Sequence, residues 1–149
     1  RSPGRVAGLD YGTVRIGIAI SDPGRTIASP YETYTRNDQA TDAERLRHLV
    51  QEEQIVRFVV GLPVHMSGQE SQKSQESREF ARWVEEVTGV PVDLYDERYT
   101  TRQAEELLQD AQLTSQQRKR RRDMLAAQLM LTAYLESGAQ DSSLPESLD

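Results

Sequence analysis

Apolar positions in the first third of the chain recur with period two. Residues 6–9 form a short apolar run ending in Asp10, and residues 14–20 put Ile16, Ile18 and Ile20 on one face, so both segments predict strands. The link Tyr11-Gly12-Thr13 is short and holds the glycine that a hairpin needs. Asp22-Pro23-Gly24 signals a second turn, and a third strand is expected over about residues 26–34. Three strands joined by tight turns make an antiparallel meander.

The period then lengthens. Ala43, Leu46, Leu49 and Val50 stand at helical spacing, predicting a helix over 43–53 capped by Thr41 or Asp42. Residues 55–61 are continuously apolar, as in a strand buried on both faces. Residues 66–75 are polar and are expected as a loop leading into a helix. Phe80, Ala81, Trp83, Val84 and Val87 carry that helix to Gly89, its C-terminal stop. A strand over 90–95 and helices over 100–108 and about 116–137 complete the pattern. Strands alternating with helices imply parallel crossovers. The predicted class is α/β: a mixed five-stranded sheet, three antiparallel strands then parallel ones, flanked by helices. That is the element order of the ribonuclease-H-like fold. One domain is expected over 1–137, with no internal repeat. Residues 138–149 are acidic and nearly free of apolar side chains, and are expected to form a disordered tail.

Composition narrows the chemistry. The 149 residues include no cysteine, which excludes disulfides, thiolate zinc sites and thiol nucleophiles. No apolar run approaches the roughly 20 residues of a membrane span. The first residues carry no apolar export segment, so a cytoplasmic location is the expectation. Net charge is −6, against the usual basic balance of nucleic-acid binders. The distribution qualifies the sum, since residues 118–122 are five consecutive cations.

Three carboxylates stand where carboxylates are costly. Asp10 ends the first strand; considered alone it reads equally as a turn residue bound to the Gly12 or Thr13 amides. Glu97 follows Asp96 at the carboxyl end of a later strand, where ligands collect in open α/β sheets. Strand alternation sends those two acids to opposite faces, so one of them joins Asp10. A salt bridge from Glu97 to Arg98 or Arg102 is the competing role. Asp123 begins a stripe continued by Ala127, Met130, Leu131 and Tyr134, which should face the sheet. Its alternatives are the helix dipole or pairing with Lys119 or Arg120. Converging carboxylates with no Lys or Arg of their own call for a cation. Oxygen ligands without Cys or a His pair favour Mg²⁺ or Mn²⁺. Two such ions about 4 Å apart serve phosphodiester hydrolysis without a covalent nucleophile.

Four blocks, in order along the chain, resemble the YqgF (RuvX) family of bacterial Holliday junction resolvases, also assigned as pre-16S rRNA nucleases. They are Gly8-Leu9-Asp10-Tyr11-Gly12-Thr13-Val14-Arg15-Ile16-Gly17-Ile18-Ala19, Val60-Gly61-Leu62-Pro63, Asp96-Glu97-Arg98-Tyr99-Thr100-Thr101, and Asp123-Met124-Leu125-Ala126-Ala127. The resemblance covers roughly residues 6–135 and is specific through the four blocks jointly. It implies a ribonuclease-H-like fold related to the RuvC resolvases. It implies metal-ligand roles for Asp10, Glu97 and Asp123, choosing Glu97 over Asp96. Two departures are His65, where the family more often has Asn, and the strongly basic run 118–122.

The implied activity is a metal-dependent endonuclease, with 5′-end processing of precursor 16S rRNA foremost. Arg15, Arg98, Arg102, Lys119 and Arg120 are the expected phosphate contacts, Arg for its planar fork. The alternative for the block 118–122 is a solvated helix start. Tyr11 and Tyr99 flank two ligands and either stack on a base or pack at the rim. The turn Gly61-Leu62-Pro63 is expected beside the site, and Ser67-Gly68 in a mobile loop. A Holliday junction resolvase is the alternative function, and a dimer would favour it. A non-catalytic nucleic-acid-binding module is another. Asp10-Tyr11-Gly12-Thr13 also looks like the first phosphate motif of the actin and sugar-kinase superfamily, which needs two domains and so more than 149 residues. The expected partner is structured RNA or branched DNA, with no membrane, and the chain is a monomer or homodimer.

Overall fold

A computed structural model describes residues 4–63, 72–96 and 115–137. The described elements are β1 (Arg5–Asp10), β2 (Arg15–Ser21), β3 (Ala28–Thr35), α1 (Gln39–Glu53), β4 (Ile55–Leu62), α2 (Gln72–Thr88), β5 (Val92–Asp96) and α3 (Ser115–Ser137). The sheet has five strands in the order β3-β2-β1-β4-β5. The β1–β2 and β2–β3 pairs are antiparallel, and the β1–β4 and β4–β5 pairs are parallel. This is the mixed sheet the hydrophobic pattern predicts. The carboxyl ends of β1, β4 and β5 therefore share one edge, where β2 begins.

Alternation divides the core between two faces. Ala7, Leu9, Ile16, Ile18, Phe58 and Val60 pack with α1 (Leu46, Leu49) and α2 (Phe80, Ala81, Val84). Val6, Ala19 and Val59 pack with Ala127, Met130, Leu131 and Tyr134 of α3. The stripe read from the last helix is thus the one that meets the sheet. It lies close because the strands beneath it carry glycines. A Cβ at Gly8 would stand 3.1 Å from the Leu131 Cβ.

Two boundaries differ from expectation. Helix α1 starts at Gln39, with Asp38 as its cap: the Thr41 amide donates to Asp38 Oδ1 at 2.7 Å. Thr41 and Asp42 lie inside the first turn, and Asp42 is buried, so neither is the cap. Helix α2 already runs at Gln72, so residues 72–75 are helical instead of loop. Buried Ser74 and Ser77 extend its inward stripe from Phe80, Ala81 and Val84; they are polar but small enough to sit under the helix. Gly89 ends α2 as expected, with φ 73 and its amide bonded to the Glu85 carbonyl. The rest of the expected loop at 66–71, the helix at 100–108 and the tail at 138–149 lie outside the described residues.

Candidate active site

The site begins at the edge where β1 ends. Val6 and Gly8 of β1 face α3, so alternation turns Asp10 to the same side. Its partner across the antiparallel pair is Gly17 of β2. Gly17 is where α3 touches the sheet: a Cβ there would stand 2.1 Å from the Asp123 carbonyl oxygen and 3.0 Å from its Cβ. Gly17 is therefore flanked by Asp10 along the sheet and by Asp123 above it. Two of the three predicted ligands thus adjoin one glycine, which lets the helix down onto the sheet. A glycine inside a β-branched strand signals such an approach, and the sequence reading passed over it.

Asp123 has a cation of its own. Arg15 Nε donates to Asp123 Oδ2 at 3.1 Å, with the side chains 38% and 25% exposed. The expectation that the converging carboxylates lack an Arg is thus wrong for this one. Arg15 starts β2 and points to the α3 face, like Gly17 and Ala19, which brings it under the first turns of α3. The expected phosphate contact is therefore an ion pair with a ligand candidate. Both residues line a cleft of about 550 Å³, with Tyr11, Gly12, Thr13 and Val14 on one wall and Gln72, Lys73 and Glu76 of α2 on another. Lys73 is exposed there, and Glu76 accepts from Gln72 Nε2 at 3.3 Å. None of these three α2 residues was among the predicted contacts; Gln72 and Lys73 fall in the segment whose sequence reads as loop.

The loop between β1 and β2 is clamped from below. Arg36, just past β3, gives its amide to the Val14 carbonyl at 2.9 Å and its Nη1 to the Gly12 carbonyl at 3.2 Å. Its guanidinium lies 5.3 Å from the Tyr11 ring centre, and Tyr11 packs on Phe80 at 4.9 Å. Tyr11 thus packs as one of its two expected roles has it, while also lining the cleft. Arg36 Nε faces the buried Asp42 Oδ2 at 3.5 Å, and Asp42 Oδ1 accepts from the Tyr34 hydroxyl at 2.7 Å and the Asn37 amide at 2.8 Å. These residues hold the loop that follows Asp10, and nothing in their sequence spacing announces it.

On the far side, the site edge continues through Leu62 and Pro63 to β5. Asp93 bonds the Tyr134 hydroxyl, and Tyr95 packs edge-on against that ring at 5.9 Å, so both face α3. Alternation then sends Asp96 to the opposite face, away from Asp10 and Asp123. Glu97, Arg98, Tyr99 and Arg102 lie outside the described residues, as do His65 and Ser67-Gly68. Lys119 and Arg120 belong to the first turns of α3, but their side chains lie outside what is described. Among the described residues no three acids or histidines form a metal-sized group, because only two of the predicted ligands are among them. Those two offer only oxygen donors, and Asp123 opens on the cleft, which suits a hard divalent cation better than zinc. No described helix is long and apolar enough to cross a membrane.

Comparison with known proteins identifies the family and the fold. The RuvX family model, described as Holliday junction resolvase, matches residues 4–137. A Rhodopirellula baltica protein named "Putative pre-16S rRNA nuclease" is 44% identical, over 98% of this chain and 90% of its own length. A protein of the same name from Koribacter versatilis is 38% identical, over 95% and 93%. Among solved structures, Thermus thermophilus RuvC in complex with a Holliday junction superposes with TM-score 0.53 at 16% identity, covering 91% of this chain and 96% of that one. Fowlpox virus resolvase with junction DNA gives 0.56 at 10% identity, covering 89% and 97%. These structures share the ribonuclease-H-like fold. With the family model spanning the described sheet and the three described helices, this chain belongs to the RuvX family.

Proposed function

We propose that this chain is a metal-dependent endonuclease that trims the 5′ end of precursor 16S rRNA. The observation that carries the reading is the placing of Asp10 and Asp123 on either side of Gly17, at the edge where parallel strands end, with Asp123 on an open cleft. Relatives above 35% identity bearing the rRNA nuclease name support the substrate. Asp10, Glu97 and Asp123 would hold Mg²⁺ or Mn²⁺, whose chemistry when bound is water activation and charge stabilisation in phosphodiester hydrolysis. Glu97 enters by its place after Asp96, whose own alternation takes it off this face.

The chain's own residues do the rest. Arg36 and Phe80 fix the loop after Asp10, so that carboxylate is held in place before substrate arrives. Arg15 and Lys73 offer cations on the cleft walls for backbone phosphates. Arg98, Arg102, Lys119 and Arg120 are proposed to extend that contact, in the cytoplasm where precursor rRNA is made. The family description and the junction-bound fold neighbours favour a second reading, resolution of four-way DNA junctions, which a homodimer would serve.

A cleavage panel tests both. Precursor 16S rRNA fragments, unrelated single-stranded RNA and four-way DNA junctions are incubated with Mg²⁺ or Mn²⁺ and wild type or Asp10→Asn. The expected result is metal-dependent cutting of the precursor by wild type alone. Cutting of junctions in preference to RNA selects the second reading, and no cutting of any substrate defeats both.

A further inference from the structure

Asp123 already has a cation beside it. Arg15 Nε is 3.1 Å from its Oδ2, and Asp123 is the one acid within ion-pair distance of Arg15 among the described residues. The proposed function assigns the same carboxylate to a divalent cation, and this inference rests on that reading. A guanidinium and a divalent ion repel at one carboxylate, so each weakens the other's hold. The pair is open enough for exchange, with more than a third of the Arg15 side chain in solvent. The backbone beneath it is not free to follow. Arg15 adjoins the loop clamped by Arg36 through Gly12 and Val14, and its own carbonyl lies 2.4 Å from where a Gly12 Cβ would be. Any change of partner is a swing of the side chain alone.

We propose that Arg15 is an exchangeable counter-ion of Asp123: the divalent cation displaces it, and the freed guanidinium turns into the cleft to take a phosphate of the substrate strand. The cleft is the open side, since Arg15, Lys73 and the Gly12-Thr13 backbone all line it. The planar fork suits both partners, carboxylate first and phosphate second. Metal and strand then bind with positive coupling, which linkage makes reciprocal. Arg15 is a positioning residue in the free protein and a substrate contact in the loaded one.

Mn²⁺ binding by electron paramagnetic resonance tests the exchange on wild type, Arg15→Gln and Asp123→Asn. Arg15→Gln tightens Mn²⁺ by about two- to fivefold, the range set by a partly exposed ion pair, and Asp123→Asn weakens it. The Arg15 Nε–H nuclear magnetic resonance signal, identified by its loss in Arg15→Gln, moves on Mg²⁺ addition to its position in Asp123→Asn. Single-stranded RNA in Ca²⁺ binds wild type several-fold more tightly than Arg15→Gln, and the gap closes without the cation. Unchanged or weaker Mn²⁺ binding by Arg15→Gln, or a stationary Nε–H signal while Mg²⁺ shifts the Gly17 amide, overturns the exchange and leaves the nuclease reading standing. Folded wild type that binds no Mn²⁺ overturns the metal reading and the exchange with it.

Discussion

Two arginine–aspartate pairs lie on either side of the β1–β2 loop, and they are built differently. Asp42 is 2% exposed and its carboxylate meets Arg36, the Tyr34 hydroxyl and the Asn37 amide. Asp123 is 25% exposed, and Arg15 is its ion-pair partner. The first carboxylate is enclosed by the fold, and what surrounds it ties β3, α1 and the loop together. The second is held by one exposed side chain at the mouth of a cleft. A buried charge must be matched by neighbours in the folded chain, whereas a half-open one can change partners. The contrast separates an acid that builds the fold beside the cleft from an acid proposed to work in it.

Substitutions should pull the two apart. Asp123→Asn is expected to cut cleavage by about 10³-fold or more, the scale on which removal of a catalytic group acts, while stability stays within about 1 kcal/mol. Rate assays beside urea denaturation check both halves. Asp42→Ala should do the reverse. It strands Arg36 and the Tyr34 hydroxyl, and unfolding curves should show a loss of about 3–5 kcal/mol, with the remaining folded fraction still cutting. Gly17→Ala falls between them. Its Cβ would meet the Asp123 carbonyl at 2.1 Å, so α3 must shift, lowering stability by about 1–3 kcal/mol. Cleavage should fall with it, because the same shift moves Asp123 from Asp10. Lys73→Ala should leave stability alone and weaken RNA binding a few-fold, lowering the salt slope by about 0.7–0.9.

The smallest effect concerns the enclosed pair. Burial first, and the hydrogen bond to Asp42 second, push the Tyr34 hydroxyl up from 10.0 to about 12. Between those values the folded chain keeps a proton that the unfolded chain releases. The stability Tyr34 contributes is thus fully present below pH 10 and declines as pH rises toward 12. Wild type should lose more stability than Tyr34→Phe across that window in denaturant titrations.

Much of the fold was legible because its signals are periodic. Ile16, Ile18 and Ile20 announce β2, and the stripe Ala127, Met130, Leu131 and Tyr134 announces the buried face of α3. Asp123 was legible for the same reason, as the first turn of that stripe. What escaped was contact between residues distant in sequence. Arg15 and Asp123 are 108 positions apart, and no period links a strand's first residue to a helix turn. The role of Asp42 was misread because an acid near a helix start looks like a cap; its partners come from β3 and the following turn. The start of α2 escaped because Ser74 and Ser77 bury polar side chains in an otherwise apolar stripe.

Asp10 and Asp123 are proposed to serve one hydrolytic site on precursor 16S rRNA. Primer extension across the 5′ region of that RNA, after incubation with Mg²⁺ and wild type, Asp10→Asn, Asp123→Asn or the folded fraction of Asp42→Ala, tests it most directly. New 5′ ends should appear with wild type and Asp42→Ala and be lost in both other variants. Undiminished 5′ ends with Asp123→Asn would remove that residue from the hydrolytic site.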